Sequence, residues 1–269
     1  MYDTHCHLTG DRYPSGVEPI LSQARAAGLS GMVAVAVDVA DAVAAQALAN
    51  AHADVWCTAG VHPSEAGHEH DVEALRPLVE HPRCVAWGEM GLDGHWPDPP
   101  LSRQKLLLKR QLELIKAVDA SGGPRLPIIL HSRKALDEVL GMLAETSTAG
   151  DRCVFHCFTD GPEAVKKVLR LGAAVSFTGV VTYRNAADVA AASDLVPLER
   201  LMVETDSPYL TPEPLRGRRP NQPAWVVHVA SFLAARRGLS LRQFELGTDE
   251  TARRIFGLED SFQTRQLSK

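Results

Sequence analysis

Cys84-Val85-Ala86-Trp87-Gly88-Glu89 is a short apolar run that ends on a carboxylate. Uncharged until its last position, it reads as a parallel strand covered on both faces. A glutamate at the end of such a strand is expensive to bury alone, so this run raises the question of a site together with that of the fold. The pattern recurs over residues 1–5, 31–37, 55–61, 126–131, 153–158, 173–177 and 201–204, giving eight candidate strands. Stretches of helical period lie between them. Residues 17–27 and 40–51 are alanine-rich, and 102–120 sets Leu106, Leu107, Leu112 and Leu114 against lysines and arginines. The stretch 161–171 opens on Pro162-Glu163 and stops at Gly172, as helix ends favour. An eighth helix is expected at 224–237 and an appended one at 241–256.

Eight βα units in succession predict an α/β fold, a TIM (β/α)8 barrel. Residues 1–269 are expected to form a single domain with the appended helix at its C-terminus. Periodicity alone leaves an open doubly wound sheet as the alternative, although no Gly-x-Gly-x-x-Gly follows the first strand. In a barrel, the proline- and arginine-rich stretch 208–223 is a long loop on the catalytic face.

The chain is 45% hydrophobic and 23% charged, ample for a large core. A net charge of −5 lacks the basic surface of a dedicated sequence-reading nucleic-acid binder. It leaves room for an enzyme acting on phosphates, because bound metal ions supply charge that a residue count misses. Five cysteines, an odd number scattered through apolar runs, suggest reduced thiols. No apolar stretch reaches the ~20 residues of a membrane helix, and the N-terminus lacks a secretory pattern. A cytoplasmic location is expected.

Of the eleven histidines, His52, His68, His70, His81 and His228 fall in helices or polar loops and read as surface or packing residues. Others close strands, at the end where barrels carry their chemistry. His5 and His7 flank Cys6, and residues two apart in a strand share a face. His131 ends Pro127-Ile128-Ile129-Leu130, His156 follows Val154-Phe155, and Asp206 follows Leu201-Met202-Val203-Glu204-Thr205. With Glu89 these make four histidines and two acids at the ends of five strands. Such donors suit zinc, manganese, iron or cobalt, and six of them suit two ions bridged by a carboxylate.

The motifs Asp3-Thr4-His5-Cys6-His7-Leu8, Gly60-Val61-His62-Pro63, Gly88-Glu89-Met90-Gly91-Leu92-Asp93, Leu130-His131-Ser132-Arg133, Phe155-His156-Cys157-Phe158, Ser176-Phe177-Thr178-Gly179 and Glu204-Thr205-Asp206-Ser207-Pro208-Tyr209-Leu210 run in order along nearly the whole chain. Together they resemble the TatD family of metal-dependent hydrolases, within the amidohydrolase-like barrels. The resemblance implies two divalent ions (zinc, manganese or magnesium) and phosphodiester hydrolysis, as a deoxyribonuclease or 3′–5′ exonuclease on single-stranded DNA or 3′ ends. It implies that His5, His7, Glu89 and Asp206 hold one ion, with Glu89 bridging to a second held by His131 and His156. It places His62, and with it Arg133, against the substrate phosphate. A monomer without an obligate protein partner is expected. The match loosens at the rim, where Thr9, Ser64 and Gly94 replace an aspartate, a histidine and an aromatic, and where 216–223 carries one extra residue.

Two ions would activate water for attack on phosphorus, with Asp206 and Glu89 as catalytic residues and Asp206 as general base. Glu204 reads as orienting a ligand or as a strand end facing solvent. Asp93 reads as positioning loops or the bridging carboxylate, or as a plain turn residue. Arg133, Arg216, Arg218 and Arg219 are candidate phosphate contacts. Trp96 offers a stacking surface for a base, though a loop anchored by an aromatic is the favoured reading. The competing functions are an amidase, lactonase or deacylase with the same bridged metals, and a metal-binding scaffold without catalysis. No lysine suited to a carbamylated bridge stands on the fourth strand, which favours Glu89 as the bridge.

Overall fold

The computed structural model describes residues 1–258, so residues 259–269 of the expected domain lie outside the described residues. Eight parallel strands pair in chain order as one sheet: β1 Tyr2–Cys6, β2 Gly31–Ala34, β3 Val55–Ala59, β4 Cys84–Asp93, β5 Ile128–Arg133, β6 Cys153–Phe155, β7 Ala174–Phe177 and β8 Leu201–Val203. Beyond β8 the chain closes on β1. The Asp206 N–H donates to the His5 carbonyl at 2.9 Å, and the His7 N–H donates to the Ser207 carbonyl at 2.8 Å. The described residues form a TIM barrel, with α1 Glu18–Ala26, α2 Val39–Ala51, α3 Arg76–Val79, α4 Leu101–Ala120, α5 Leu136–Glu145, α6 Pro162–Leu171, α7 Ala187–Leu195, α8 Val226–Arg236 and α9 Leu241–Phe256 around it.

Strand alternation divides the core in two. Met32, Cys57, Trp87, Leu130, Phe155 and Val203 pack outward under the helices. Val33, Trp56, Val85, Ile129, Val154 and Met202 form a separate cluster, the filled lumen. Two residues beyond three of these lumen positions stand His131, His156 and Glu204. The period that buries an apolar side chain in the lumen thus delivers a polar one to its C-terminal mouth. At the other end α9 closes the lumen, with Ala252 and Phe256 joining the same cluster. A fully buried phenylalanine of this kind contributes roughly 1.5–3 kcal/mol. Asp249 on α9 accepts the Tyr2 N–H at 3.0 Å and pairs with the Met1 amino group at 3.2 Å.

Strands β4 and β5 run past the expected ends at Glu89 and His131, pairing out to Asp93 against Arg133. Their register shifts between Trp87 and Met90, where Gly88 and Gly91 have φ of +123° and +145°. A Cβ on Gly91 would lie 2.0 Å from the His131 carbonyl oxygen. Only glycine lets β4 press this closely on the strand that carries His131. Helices α5 and α7 were not delineated by the sequence pattern, although α5 buries Leu136, Val139 and Leu143 at helical spacing.

Candidate metal centre

Glu89 sits at the middle of the C-terminal mouth, and its two oxygens face different neighbours. Oε2 lies 3.4 Å from His5 Nε2. Oε1 lies 2.8 Å from His131 Nδ1 and 2.5 Å from His156 Nε2. On the β1 side, Asp206 Oδ1 is 3.3 Å from His7 Nε2 and 3.7 Å from His5 Nε2. His7 is aimed by its other nitrogen, because Nδ1 donates to the Val35 carbonyl at 3.0 Å. The six ligands expected from the sequence therefore converge. Donor atoms of His5, His7 and Asp206 lie within 4.8 Å of one another, as do those of His5, Glu89 and His156, and those of His62, Glu89 and His131.

This donor set fits a divalent ion better than it fits itself. His5 is fully buried, and among the described residues neither ring nitrogen makes a well-aligned hydrogen bond, Glu89 Oε2 standing 3.4 Å off, which is costly for an imidazole excluded from water. Burial and the neighbouring His156 push His5 below the ordinary histidine range. Burial alone would also depress His156 and raise Glu89, yet their attraction wins: His156 is pushed well above its ordinary value and Glu89 well below. Against burial, Asp206 raises His7, while Asp93 and Glu89 raise His131. Asp206 is lowered by His7 and His5. The carboxylates thus favour positive charge at His7, His131 and His156, as they would favour a bound cation.

A family model described as TatD related DNase matches residues 2–257. The chain belongs to the TatD family. It is 33% identical to an uncharacterized metal-dependent hydrolase, YabD, of Bacillus subtilis, over 95% of this chain and 98% of the relative. It is 34% identical to a 3′–5′ ssDNA/RNA exonuclease TatD of a Rahnella species, over 96% and 98% of the two chains. The crystal structure of a TatD homolog from Escherichia coli superposes with a TM-score of 0.87 at 27% identity, covering 96% of this chain and 98% of that one.

In this TatD family member a set of buried polar residues stands around the candidate ligands. Glu204, 1% exposed, does not face solvent. It accepts the Cys157 N–H at 2.7 Å and the Ser176 hydroxyl at 2.6 Å, and lies 3.4 Å from His156 Nδ1. Asp93 Oδ2 lies 3.3 Å from His131 Nε2, and its Oδ1 accepts the His95 N–H at 2.8 Å. Burial would raise this carboxyl, but those bonds take it down to about 2. Asp206 itself has φ +52°, a conformation aspartate tolerates better than most residues. Two glutamines on the buried face of α4 escaped the sequence reading. Gln111 bonds both the N–H and the carbonyl of Val61, at 2.8 and 2.9 Å, beside His62. Gln104 accepts the Asp93 N–H at 2.7 Å and donates to the carbonyls of Asp93 and Pro99 at 3.0 and 2.7 Å. Their spacing of seven residues on a leucine-rich face was the available signal.

The rim is less uniform. His62 Nε2 lies 3.5 Å from Glu89 Oε1, beside His131 at the edge of the cluster. Ser64, in place of the family's histidine, donates its N–H to His62 Nδ1 at 3.0 Å and sets its hydroxyl 2.7 Å from the same nitrogen. Burial holds His62 down at about 3, so the ring is neutral. Arg133 lines the cavity, of about 670 Å³, that opens over the candidate metal ligands. Arg216, Arg218 and Arg219 are absent from its walls, and Arg216 lies 3.9 Å over the Tyr183 ring instead. Trp96 is 60% exposed and lines the cavity, so its ring is not the packed anchor of the loop that the sequence reading favours.

Proposed function

We propose that this chain is a metal-dependent phosphodiesterase that cleaves single-stranded DNA from its 3′ end. The observation that carries this reading is the division of Glu89, with Oε2 toward His5 and Oε1 toward His131 and His156. One carboxylate in that position serves two ligand sets. The 3′–5′ ssDNA/RNA exonuclease relative, 34% identical along nearly the whole chain, supports nucleic acid as the substrate class.

His5, His7, Asp206 and one oxygen of Glu89 would hold one divalent ion, and His131, His156 and the other oxygen a second. Bound there, such ions supply Lewis acidity toward a phosphoryl oxygen and lower the pKa of water. Asp206 is held ionised, with a side chain 15% exposed at the mouth, and takes the proton of the attacking water. His62, neutral, donates from Nε2 to a phosphoryl oxygen. Arg133, 44% exposed, holds the flanking negative charge. Asp93 and Glu204 position His131 and His156. The free thiols of Cys6, Cys57, Cys84, Cys153 and Cys157 fit a reducing, cytoplasmic setting; we read residues 1–269 as one monomeric domain.

The test joins metal content to turnover. Purified protein is analysed for bound metal and assayed on single-stranded DNA and on a small phosphodiester with Mg²⁺, Mn²⁺ and Zn²⁺. Cleavage that vanishes with EDTA and in Asp206→Asn is expected. Bound metal without phosphodiester cleavage, together with hydrolysis of an amide, ester or lactone, would overturn the reading.

A further inference from the structure

Trp96 stands in the loop between β4 and α4, and several bonds fix that loop to the metal centre. Asp93 reaches both ways, with Oδ2 at 3.3 Å from His131 Nε2 and Oδ1 accepting the His95 N–H at 2.8 Å. The Gly94 N–H donates to the Arg133 carbonyl at 2.7 Å. A Cβ at residue 94 would lie 2.7 Å from the Lys134 carbonyl oxygen. The aromatic that the family often carries directly after Gly-Leu-Asp has no room here, and the aromatic surface is supplied two residues later. Gln104, 2% exposed, ties down the loop at Asp93 and at Pro99. The indole therefore projects from an anchored loop, 60% exposed, with the His95 ring edge-on to it at 4.7 Å.

Holding so large an apolar ring in water, on a loop bonded at both ends, gains the fold nothing. The ring lies on the wall of the cavity that also exposes Glu89, His131 and Arg133. We propose that Trp96 is a stacking platform for the unpaired nucleobase next to the scissile phosphodiester, and so selects single-stranded substrate. This rests on the phosphodiesterase reading above. A phosphate held by the metal centre and Arg133 brings the adjoining base to the β4 side of the mouth, where a flat π-face accepts any base without reading its identity. Because the loop is ordered beforehand, little conformational entropy is lost on stacking.

Trp96→Ala and Trp96→Phe are compared with wild type on a single-stranded oligonucleotide and on bis(p-nitrophenyl) phosphate. Separately, EDTA-treated protein is titrated into an oligonucleotide bearing 2-aminopurine at its 3′ end, and quenching of that base is followed. In Trp96→Ala the ratio of kcat/KM on the oligonucleotide to that on the small diester falls about ten-fold, carried by KM, as expected for one lost base–aromatic stack. Quenching disappears in Trp96→Ala and persists in Trp96→Phe. An unchanged ratio with unchanged quenching overturns the proposal, and so does an equal loss on both substrates, which would make Trp96 a support for the loop. If wild type cleaves neither diester while quenching still depends on Trp96, the base site stands and the phosphodiesterase reading fails.

Discussion

Replacing Glu204 by glutamine separates the metal centre from the fold. The carboxylate is 1% exposed, accepts the Cys157 N–H at 2.7 Å and the Ser176 hydroxyl at 2.6 Å, and stands 3.4 Å from His156 Nδ1. A glutamine keeps one oxygen for the Cys157 N–H, and Ser176 can rotate its hydroxyl to accept from the new amide. Both bonds survive without charge assistance, at a cost of about 1 kcal/mol. In a domain of this size that lowers Tm by about 2–4 °C. Metal affinity suffers more, because the carboxylate that raises the basicity of His156 is gone. Partners of this kind are worth about 10–100-fold, or roughly 1.4–2.7 kcal/mol. Chelator competition with zinc or manganese measures the first effect, and thermal melts in EDTA the second. An affinity within about two-fold of wild type would refute the positioning role, for which about ten-fold is the minimum. A fall in Tm beyond about 10 °C in EDTA would instead make Glu204 a structural prop.

Asp206→Asn should lower turnover by about 10²–10⁴-fold while near-UV circular dichroism stays native, since asparagine also tolerates the φ of +52°; turnover near wild type would remove Asp206 from the chemistry. Metal affinity should weaken as pH falls, because His7, His131 and His156 are held protonated above the ordinary histidine value of 6.5 in the metal-free protein and those protons must leave. By the same sign, the stability these protons provide without metal is complete below pH 6.5 and is lost as pH rises through the raised values, where bound metal replaces it; calorimetry in two buffers of different ionisation enthalpy reads the released protons, and zero release refutes the account. Gly91→Ala places a Cβ 2.0 Å from the His131 carbonyl oxygen at φ +145°, and should cost more than about 3 kcal/mol and lower metal content; urea melts and metal analysis check both, and a wild-type result would contradict the close approach of β4 to β5.

The convergence of the candidate ligands was legible because each lies in or just after a strand whose burial pattern is local. Ile129 and Val154 must face the lumen, so His131 and His156, two residues on, face it too. Bonds made between distant segments were not legible. Asp3 takes the Thr205 N–H at 2.9 Å across 202 positions of sequence, and no spacing rule links such residues. Gln104 and Gln111 looked like polar positions of an amphipathic helix, and only the packed structure shows that they face inward to hold β4 and the Val61 segment. Trp96 was misjudged for a different reason. That an aromatic anchors its loop by packing is a sound average expectation, and the average says nothing of a loop already pinned by Asp93 and Gln104. Strand ends were also underestimated where pairing continues, as β4 and β5 do to Asp93 and Arg133.

The lumen packed by Trp56, Ile129 and Met202 and stoppered by Phe256 makes the barrel a blind well rather than a tunnel. Among the described residues, the C-terminal mouth is then the doorway to the candidate ligands. On the phosphodiesterase reading a long chain has no far exit through which to thread, so it would present either a free end or a bend, and the cleaved piece would have to back out before the next can enter. The stopper that steadies the barrel from below thereby sets the traffic rule above.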